Sequence, residues 1–380
     1  MTSSLEQVPC GDRPPPPALL ARVLDLLAGG ELVVLPTETV YGVAARADEP
    51  RAVGALRNLK DREGDRALTW HVGSNEPLLQ FEHLPAVVAR LAGRYWPGPL
   101  TLVLKGVPPG LEDVAESGWT GLRRPAHRAT AAVLAAAEFP VVMSSANRAG
   151  EAPALQADEV PRALGRAEGG PRLLVDGGRA RLGESSGVLR VGPGHFELLR
   201  EGLLAIDDLR RAAGLRLGFC CTGNTCRSPM AETLAGVLLA EALGVPRPGA
   251  APAAPPGSSQ DSIGRFGFEV RSMGVAASWG APASGGALEA MAGRGLDLSR
   301  HASNPALAED VQALDRVYCM TRSHLDALLL SLPPGRGGHV ELLDPEGLDI
   351  ADPIGGSDAV YRACADQIEA CLRARLSEWV

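Results

Sequence analysis

The stretch CTGNTCRSPMAE, which begins at Cys221, constrains the second half of this chain more than any other feature. It follows the apolar segment LRLGFC and precedes PMAETLAGVLLAEAL, so the pattern predicts a buried strand, a short loop and a helix. In such a loop successive backbone N–H groups point inward, and the helix N-terminus adds partial positive charge. The loop should therefore bind a phosphate-like dianion and lower the pKa of the Cys221 thiol.

The residues between Cys221 and the helix suit that chemistry. Gly223 allows a tight turn, and Asn224 tolerates the left-handed backbone that the turn requires. Arg227 presents a planar guanidinium that can bind two oxygens of a transferring phosphoryl group. Ser228 can cap the helix and donate to the thiol. The predicted phosphate loop also contains Thr222, Thr225 and Cys226.

Cysteine-based phosphate transfer needs an acid that protonates the leaving group. Two Asp-Pro pairs are candidates, Asp344-Pro345 and Asp352-Pro353. We prefer Asp352, because the glycines that follow it allow a loop to lie over a pocket, and keep Asp344 as the second choice.

The length of 380 residues predicts two domains. We expect a disordered tail over residues 1–17, a first domain over 18–208 and a second over 209–380, with a flexible proline-rich insertion at 244–265. The net charge of −8 argues against strong non-specific binding to nucleic acid or to acidic membranes. No apolar run reaches membrane-spanning length and the N-terminus lacks a signal-peptide pattern. Seven cysteines without a framework spacing predict reduced thiols and a cytoplasmic location.

The second domain resembles the low-molecular-weight protein tyrosine phosphatase family. The resemblance rests on CTGNTCRSPMAE, SMGV, GLDLSRHAS, LDRVYCMT and DPIGGSDAVY, over about residues 215–376. It implies a small parallel sheet flanked by helices and a cysteinyl-phosphate intermediate. Cys221 would attack the phosphorus in line, Arg227 would stabilise the transition state, and Asp352 would protonate the leaving group.

Thr225 bears on which phosphorylated proteins this domain would use. Tyrosine-directed members carry Ile or Leu there, whereas the family's protein-arginine phosphatases read CTGNTCRS, as this chain does. Ile354 also stands where tyrosine phosphatases often have an aromatic side chain. We therefore expect phosphoarginine, with phosphotyrosine as the alternative because Trp279 could stack on a phenol. Arsenate reduction is disfavoured because Cys364 and Cys371 follow the acid, and a docking domain without catalysis remains a further alternative.

The first domain resembles the YrdC-type threonylcarbamoyl-AMP synthase family over about residues 18–204. The motifs are LPTETVYG, LKDR, WHV, WPGPLT, GLRRP, SSAN, GESSGV and LREG, in that order. The resemblance implies an open twisted α/β sheet with a locally positive cavity. There, L-threonine and bicarbonate would form a carbamate that attacks the α-phosphate of ATP and releases pyrophosphate.

The resemblance also implies roles for individual residues. ATP would be bound by Lys60, Arg62, Ser145, Asn147 and Arg200. L-threonine would be bound by Thr37, His71, Arg123 and Ser186. Magnesium is expected with ATP, but no dedicated carboxylate cage and no tightly bound cofactor are predicted. Ser186-Gly187-Val188 replaces the family's Ser-Thr-Val and so lacks one hydroxyl.

The whole chain is thus predicted to be a bifunctional α/β enzyme, a synthase for tRNA threonylcarbamoylation fused to a protein phosphatase. Its expected partners are L-threonine, bicarbonate, ATP, phosphorylated proteins and a downstream tRNA-modifying transferase, with weak direct nucleic-acid binding and no membrane. The alternative for the first half is an RNA-binding module without catalysis.

Overall fold

The structure is a computed structural model that describes residues 5–60, 67–82, 84–165, 169–247 and 261–380. Contacts divide the chain into two compact units, Met1–Ile206 and Asp207–Val380. Among the predicted site residues Arg62 lies outside the described residues, as does most of the predicted insertion at 244–265. None of the described helices is both long and apolar enough to cross a membrane.

The first unit is built on a mixed sheet that has ten strands within the described residues. Its order is β1-β8-β2-β3-β7-β4-β6-β5-β9-β10, and both parallel and antiparallel pairs occur in it. The strands are β1 (Glu6–Pro9), β2 (Val33–Leu35), β3 (Gly42–Arg46), β4 (Thr69–His71), β5 (Leu100–Lys105), β6 (Trp119–Arg123), β7 (Val141–Ser145), β8 (Leu173–Asp176), β9 (Gly187–Gly192) and β10 (His195–Arg200). The predicted open α/β sheet is confirmed.

Helices cover this sheet because each has an apolar stripe at helical spacing. In α1 (Pro17–Ala28), Leu19, Val23 and Leu27 are buried against strand residues such as Val33 and Val175. The remaining helices of the unit are α2 (Pro50–Leu59), α3 (Ala86–Tyr95), α4 (Arg128–Ala136) and α5 (Val160–Leu164), with 3-10 turns at Glu76–Gln80 and Ala157–Glu159.

The prediction of a disordered tail over residues 1–17 is wrong for its described part. Glu6–Pro9 forms β1, which pairs in parallel with β8 at the sheet edge. The exposed Gln7 side chain donates to Asp176, and Cys10 is buried in the core. A strand so short and polar has no strong sequence signal, because an edge strand is stabilised mainly by its pairing partner.

The second unit contains a small sheet whose four strands, all parallel, have the order β12-β11-β13-β14. The strands are β11 (Arg216–Cys221), β12 (Glu269–Gly274), β13 (Arg316–Cys319) and β14 (Val340–Leu342). Parallel strands are covered on both faces, which explains the nearly continuous buried run of the central strand β11, whereas β12 and β14 carry polar residues between their apolar ones. The predicted small parallel-sheet domain is confirmed.

The helices of the second unit flank this sheet. The long α7 (Arg227–Leu243) is buried over most of its length, and it packs against β11, β12 and the C-terminal α12 (Asp358–Trp379). The others are α6 (Ile206–Ala213), which begins at the unit boundary, α8 (Asp261–Gly264), α9 (Gly285–Ala292), α10 (Ala308–Ala313) and α11 (Arg322–Ser331).

Candidate active sites

The loop between β11 and α7 begins at Cys221 and ends at Arg227, as the sequence predicts. Asn224 takes a left-handed φ of 53°. Its Nδ2 donates to Ser228 Oγ over 2.9 Å, and its Oδ1 accepts from the Asn304 N–H over 2.8 Å. Gly274 lies so close that a Cβ there would be 2.5 Å from the Thr222 carbonyl oxygen. The loop is therefore held in one shape by its own side chains and by close neighbours.

Cys221 is 3% exposed, and its Sγ lies 3.0 Å from Ser228 Oγ. Burial raises the pKa of this thiol above its ordinary value. The Ser228 hydroxyl, the N–H groups of Ser228 and Asn224 and the charge of Arg227 act in the opposite direction without cancelling it. The prediction of a lowered thiol pKa is therefore wrong for this arrangement, because desolvation disfavours the thiolate more than its donors favour it.

Arg227 is 4% exposed and is held at two of its three nitrogens. Its Nη1 donates to the Ile350 carbonyl over 3.0 Å, and its Nη2 pairs with the Asp352 carboxylate. Its Nε is buried and has no hydrogen-bond partner among the described residues. A buried donor without a partner costs free energy, so this nitrogen fits an anionic oxygen bound at the loop.

The two candidate acids occupy different surroundings. Asp352 pairs with Arg227, accepts a 3.2 Å hydrogen bond from the Ile354 N–H and leaves 41% of its side chain exposed. Asp344 instead accepts from the Cys371 thiol on α12 over 3.5 Å and from the Glu346 N–H over 2.8 Å. The structure thus brings Asp352, and not Asp344, against the arginine of the loop.

The remaining loop residues have contacts of their own. Thr225 is partly exposed, with its Oγ1 3.7 Å from Cys226 Sγ. Cys226 is buried, and its Sγ contacts Ser284 Oγ at 3.2 Å and the Tyr361 hydroxyl at 3.5 Å. Thr222 places its Oγ1 2.8 Å from Nε2 of His324.

His324 is a residue at this site that the sequence analysis did not identify. It is 4% exposed, and its Nδ1 lies 2.8 Å from Thr321 Oγ1 at the start of α11. Burial and the nearby charge of Arg227 lower its pKa to about 4, so the imidazole is neutral at pH 7. His301 likewise contacts the loop, with Nε2 2.6 Å from the Asn224 carbonyl oxygen. These contacts join residues far apart in the chain, so no local pattern signals them.

The first unit contains a cavity of about 230 Å³ on one face of its sheet. Six of the residues predicted to bind ATP or threonine line it: Thr37, His71, Arg123, Ser145, Ser186 and Arg200. Lys60 and Asn147 are near neighbours of Ser145 but are not among the lining residues. Side chains from several strands thus meet in one cavity. The order of the motifs along the chain does not show this directly.

Lys60 occupies a different position from the one expected for a direct ligand of a triphosphate. It is 1% exposed, and its ammonium donates to the Ser145 carbonyl over 2.6 Å and to Asn147 Oδ1 over 2.9 Å. It also contacts the Asn147 carbonyl. The ammonium therefore stabilises the SSAN turn through these contacts, and its positive charge lies 3.3 Å from the Ser145 hydroxyl oxygen.

Arg123 is held by a carboxylate that the sequence analysis did not assign a role. Its Nη2 lies 2.6 Å from Glu38 Oε1 and 2.8 Å from Thr39 Oγ1, and its Nε donates to the Gly98 carbonyl over 3.2 Å. Glu38 also accepts from the Ala126 N–H over 2.9 Å. Both partners of this ion pair are about 95% buried, so the guanidinium is fixed in orientation at the cavity wall.

His71 is 7% exposed, and its Nδ1 lies 2.9 Å from the Thr69 carbonyl oxygen. A carbonyl only accepts, so Nδ1 carries the proton and Nε2 is an acceptor. Burial and the positive charge of Arg123 lower the pKa of His71 to about 3. The ring is therefore a neutral hydrogen-bond acceptor at the cavity.

Hydroxyl groups complete the polar wall of the cavity. Thr37 Oγ1 donates to the Val40 carbonyl over 2.6 Å and accepts from the Thr39 N–H over 3.2 Å. Ser186 Oγ lies 2.9 Å from Thr101 Oγ1 and accepts from Arg200 Nη2 over 3.1 Å. Thr101 was not identified from the sequence, because a strand threonine carries no distinctive pattern. Among the described residues no cluster of three or more His, Cys, Asp or Glu side chains could hold a metal ion.

The fold and the two sites thus define a two-domain α/β protein, with a polar cavity in one unit and a loop that joins a cysteine to an arginine in the other. A family model for the Sua5/YciO/YrdC group, described as telomere recombination, matches residues 25–202. A model for low molecular weight phosphotyrosine protein phosphatase matches residues 258–378, a range that begins after the cysteine loop. The chain therefore belongs to the Sua5/YrdC family in its first half and to the low-molecular-weight phosphatase family in its second.

Several curated proteins are similar to the first half. A threonylcarbamoyl-AMP synthase of Pyrococcus abyssi is 34% identical over 194 residues, which are 49% of this chain and 54% of that protein. A candidate threonylcarbamoyl-AMP synthase of Mycobacterium tuberculosis is 32% identical, over 48% of this chain and 87% of its own length. The chain spans about half the length of the first relatives that it matches, at 54% and 56%.

Several solved structures are similar to the second half. A low molecular weight protein tyrosine phosphatase from T. tengcongensis is 30% identical, covers 43% of this chain and 99% of its own, and has a TM-score of 0.36. The YwlE arginine phosphatase from Geobacillus stearothermophilus is 32% identical, covers 43% and 91%, and has a TM-score of 0.33.

Proposed function

We propose that this chain is a bifunctional enzyme. Its first unit synthesises L-threonylcarbamoyladenylate from L-threonine, bicarbonate and ATP, for use by a tRNA-modifying transferase. Its second unit is a protein phosphatase that acts through a cysteinyl-phosphate, with phosphoarginine as the preferred group. The seven cysteines are all free thiols, which supports a reducing compartment such as the cytoplasm.

The observation that carries the synthase proposal is the convergence of two predicted ligand sets on one cavity. Arg123 and His71 stand on the neighbouring strands β6 and β4, where a guanidinium and a neutral acceptor suit the carboxylate and the amine of an amino acid. Ser145 and Arg200 come from other strands and suit phosphate oxygens. One cavity can thus hold an amino acid and a nucleotide together. The reaction between them then becomes effectively unimolecular.

The reaction proceeds in two bond-forming steps. The neutral threonine nitrogen attacks the carbon of bicarbonate, water leaves, and a carbamate forms. A carbamate oxygen then attacks the α-phosphorus of ATP, and pyrophosphate leaves with the electron pair of the broken P–O bond. Lys60 supports this step by holding the SSAN turn, and Arg200 by offsetting the negative charge that spreads over the phosphates.

The test is pyrophosphate release that depends on ATP, L-threonine and bicarbonate together. We expect Arg123→Lys to lower this rate by roughly 100-fold, because a lysine cannot reproduce the planar fork that binds a carboxylate. Arg128→Lys, at an exposed arginine on α4, is the matched control and should change nothing. No pyrophosphate release from a protein that binds RNA would support the RNA-binding alternative instead.

The phosphatase proposal rests on the arrangement around Arg227, whose buried Nε lacks a partner among the described residues while its Nη2 reaches Asp352. The Cys221 thiol gives its proton to a phosphoryl oxygen of the substrate, and its sulfur forms an S–P bond as the P–N or P–O bond of the substrate breaks. Asp352 gives its proton to the leaving nitrogen or oxygen. A water oxygen then attacks the phosphorus, the S–P bond breaks, and Asp352 takes up the proton of that water.

Two residues support phosphoarginine over phosphotyrosine. Thr225 puts a partly exposed hydroxyl in the loop where an aliphatic wall would favour a phenol ring. Ile354, at 70% exposure, offers no aromatic surface after Asp352. Phosphotyrosine is the second candidate because Trp279 is 66% exposed and presents an aromatic ring that could stack on a phenol.

Hydrolysis of phosphoarginine and phosphotyrosine peptides, measured side by side, decides between these substrates. We expect the higher kcat/KM on phosphoarginine, and Thr225→Ile should shift the ratio towards phosphotyrosine. A wild-type preference for phosphotyrosine would end the phosphoarginine proposal. Activity retained by Cys221→Ser would end the cysteinyl-phosphate mechanism.

A further inference from the structure

One end of the cavity in the first unit carries an aromatic–cationic pair that has no role in the reaction steps proposed above. Trp119 on β6 and Arg190 on β9 both line the cavity, on either side of β5. The Arg190 guanidinium carbon lies 5.1 Å from the centroid of the Trp119 ring. At that distance the pair is held by a cation–π attraction.

The tryptophan ring is fixed by its surroundings. A Cβ at Gly192 would lie 3.0 Å from the ring, so the ring occupies the space that this glycine leaves open. The ring of His195 on β10 meets it edge-on, with centroids 5.1 Å apart and an interplanar angle of 82°. The ring is partly exposed, and it is therefore a rigid, flat apolar surface at the cavity.

Arg190 is also held in place, yet it keeps one donor without a partner among the described residues. Its Nη1 lies 3.4 Å from Glu197 Oε2, which fixes the outer end of the guanidinium. Its Nε is buried and makes no hydrogen bond within the described part of the chain. A ribose hydroxyl of a bound nucleotide, lying in the plane of the guanidinium, is an acceptor that would satisfy it.

The residues assigned to the nucleotide by the proposed function are suited to phosphates and hydroxyls, and none of them offers a flat surface to a purine. The described aromatic residues that line the cavity, apart from His71, are Tyr41 and Trp119. Tyr41 is fully buried, with its hydroxyl bonded to the Gly178 carbonyl over 2.7 Å. We propose that Trp119 and Arg190 form the platform on which the nucleobase of the nucleotide stacks. This inference rests on the proposed use of ATP by the first unit.

Glu116 gives the platform a preference among bases. Its backbone pairs with that of Trp119, its Oε2 accepts from the Ala67 N–H over 3.3 Å, and its side chain lines the same cavity. A carboxylate repels a polyphosphate, but it accepts hydrogen bonds from the 6-amino group of adenine. When C6 of the stacked purine faces Glu116, the 6-oxo group of guanine is an acceptor and would be repelled, and a guanine must turn to present its N1–H and 2-amino donors instead. In that orientation the site favours adenine over guanine.

The test compares binding of ATP, GTP and inorganic tripolyphosphate to the full chain by calorimetry. Tripolyphosphate has no base, so it reports on the phosphate contacts alone. Trp119→Leu should weaken ATP binding by roughly 5- to 100-fold, the range of base–aromatic stacking, and leave tripolyphosphate within about twofold. Trp119→Phe keeps an aromatic face and should restore most of the affinity. Glu116→Ala should bring the affinities for ATP and GTP together.

Each result either supports the platform or overturns it. Equal losses of ATP and tripolyphosphate binding in Trp119→Leu would show a general disruption of the cavity, and unchanged ATP binding would show that the base lies elsewhere; both overturn it. A wild-type chain that does not bind ATP overturns it as well. The proposed function is tested separately, since a chain that binds ATP through Trp119 but releases no pyrophosphate keeps the platform and loses the synthase.

Discussion

Replacing Arg227 with lysine tests the chemistry of the cysteine loop most directly. The substitution keeps a positive charge in a side-chain position that is 4% exposed. It removes the planar fork whose Nη1 donates to Ile350, whose Nη2 pairs with Asp352 and whose Nε has no partner among the described residues. Lysine can place only a point charge near a phosphoryl group, where arginine can donate two parallel hydrogen bonds.

The expected loss follows from those bonds. Each hydrogen bond from a charged donor contributes about 1.5–3 kcal/mol, and lysine retains roughly one of the two that the arginine can offer to the phosphoryl oxygens. Allowing for the lost alignment of Asp352, the stabilisation of the transition state should fall by about 2–4 kcal/mol. This loss lowers kcat/KM roughly 30- to 1000-fold. The Ile350 carbonyl also loses its donor, which should destabilise the second unit by about 1–3 kcal/mol.

The assay is steady-state hydrolysis of an aryl phosphate and of a phosphoarginine peptide, with urea unfolding of the same proteins. Arg271→Lys, at an exposed arginine of β12 that pairs with Glu269, is the control and should leave kcat/KM unchanged. A loss of less than threefold for Arg227→Lys in a folded protein would refute the assignment of the fork to the transition state.

Three further changes test other parts of the structure. The pKa of His71 is about 3 in the folded chain against an ordinary 6.5, so between these pH values the unfolded chain binds a proton that the folded chain does not. The free energy of unfolding is therefore highest above pH 6.5 and falls by about 2 kcal/mol between pH 7 and pH 5. His71→Gln should remove this pH dependence in urea unfolding. Gly274→Ala places a Cβ 2.5 Å from the Thr222 carbonyl oxygen, so it should destabilise the second unit by about 1–3 kcal/mol and lower phosphatase activity at least tenfold while pyrophosphate release stays unchanged. Glu38→Gln leaves the buried charge of Arg123 uncompensated and should cost the first unit about 3 kcal/mol in thermal or urea unfolding.

Each of these changes has a matched control at a less constrained position. His195→Gln replaces a partly exposed histidine, Gly285→Ala adds a Cβ that meets nothing within 4 Å, and Glu31→Gln removes one partner of an exposed ion pair. An equal change in the control and in the test variant would contradict a local cause for the effect. So would a His71→Gln protein that keeps the full pH dependence.

The fold class and the loop from Cys221 to Arg227 could be predicted from sequence because their signals are local. The apolar run before Cys221, the Gly-Asn turn and the helix after Arg227 lie within a few residues of one another, and each follows from backbone propensity and apolar spacing. The strand at Glu6–Pro9 was missed because its stability comes from pairing with β8, which is more than 160 residues away.

The chemistry of the sites depended more on long-range contacts. Asp344 and Asp352 have the same local Asp-Pro sequence, and only the packing of their loops puts one beside Arg227 and the other against Cys371. The thiol pKa of Cys221 is a balance between burial and nearby donors, and the extent of burial cannot be read from a loop motif.

By itself the sequence determined the fold class, the strand, loop and helix around Cys221, and which residue types carry charge or hydroxyl groups at each motif. Only the tertiary structure decided three contacts: the Lys60 ammonium bonds to the Ser145 carbonyl and does not line the cavity, Glu38 pairs with Arg123, and His324 contacts Thr222. The physical reason is that secondary structure responds to neighbours within a few residues, whereas burial, ion pairing and pKa depend on atoms that folding brings together from strands and helices far apart in the chain.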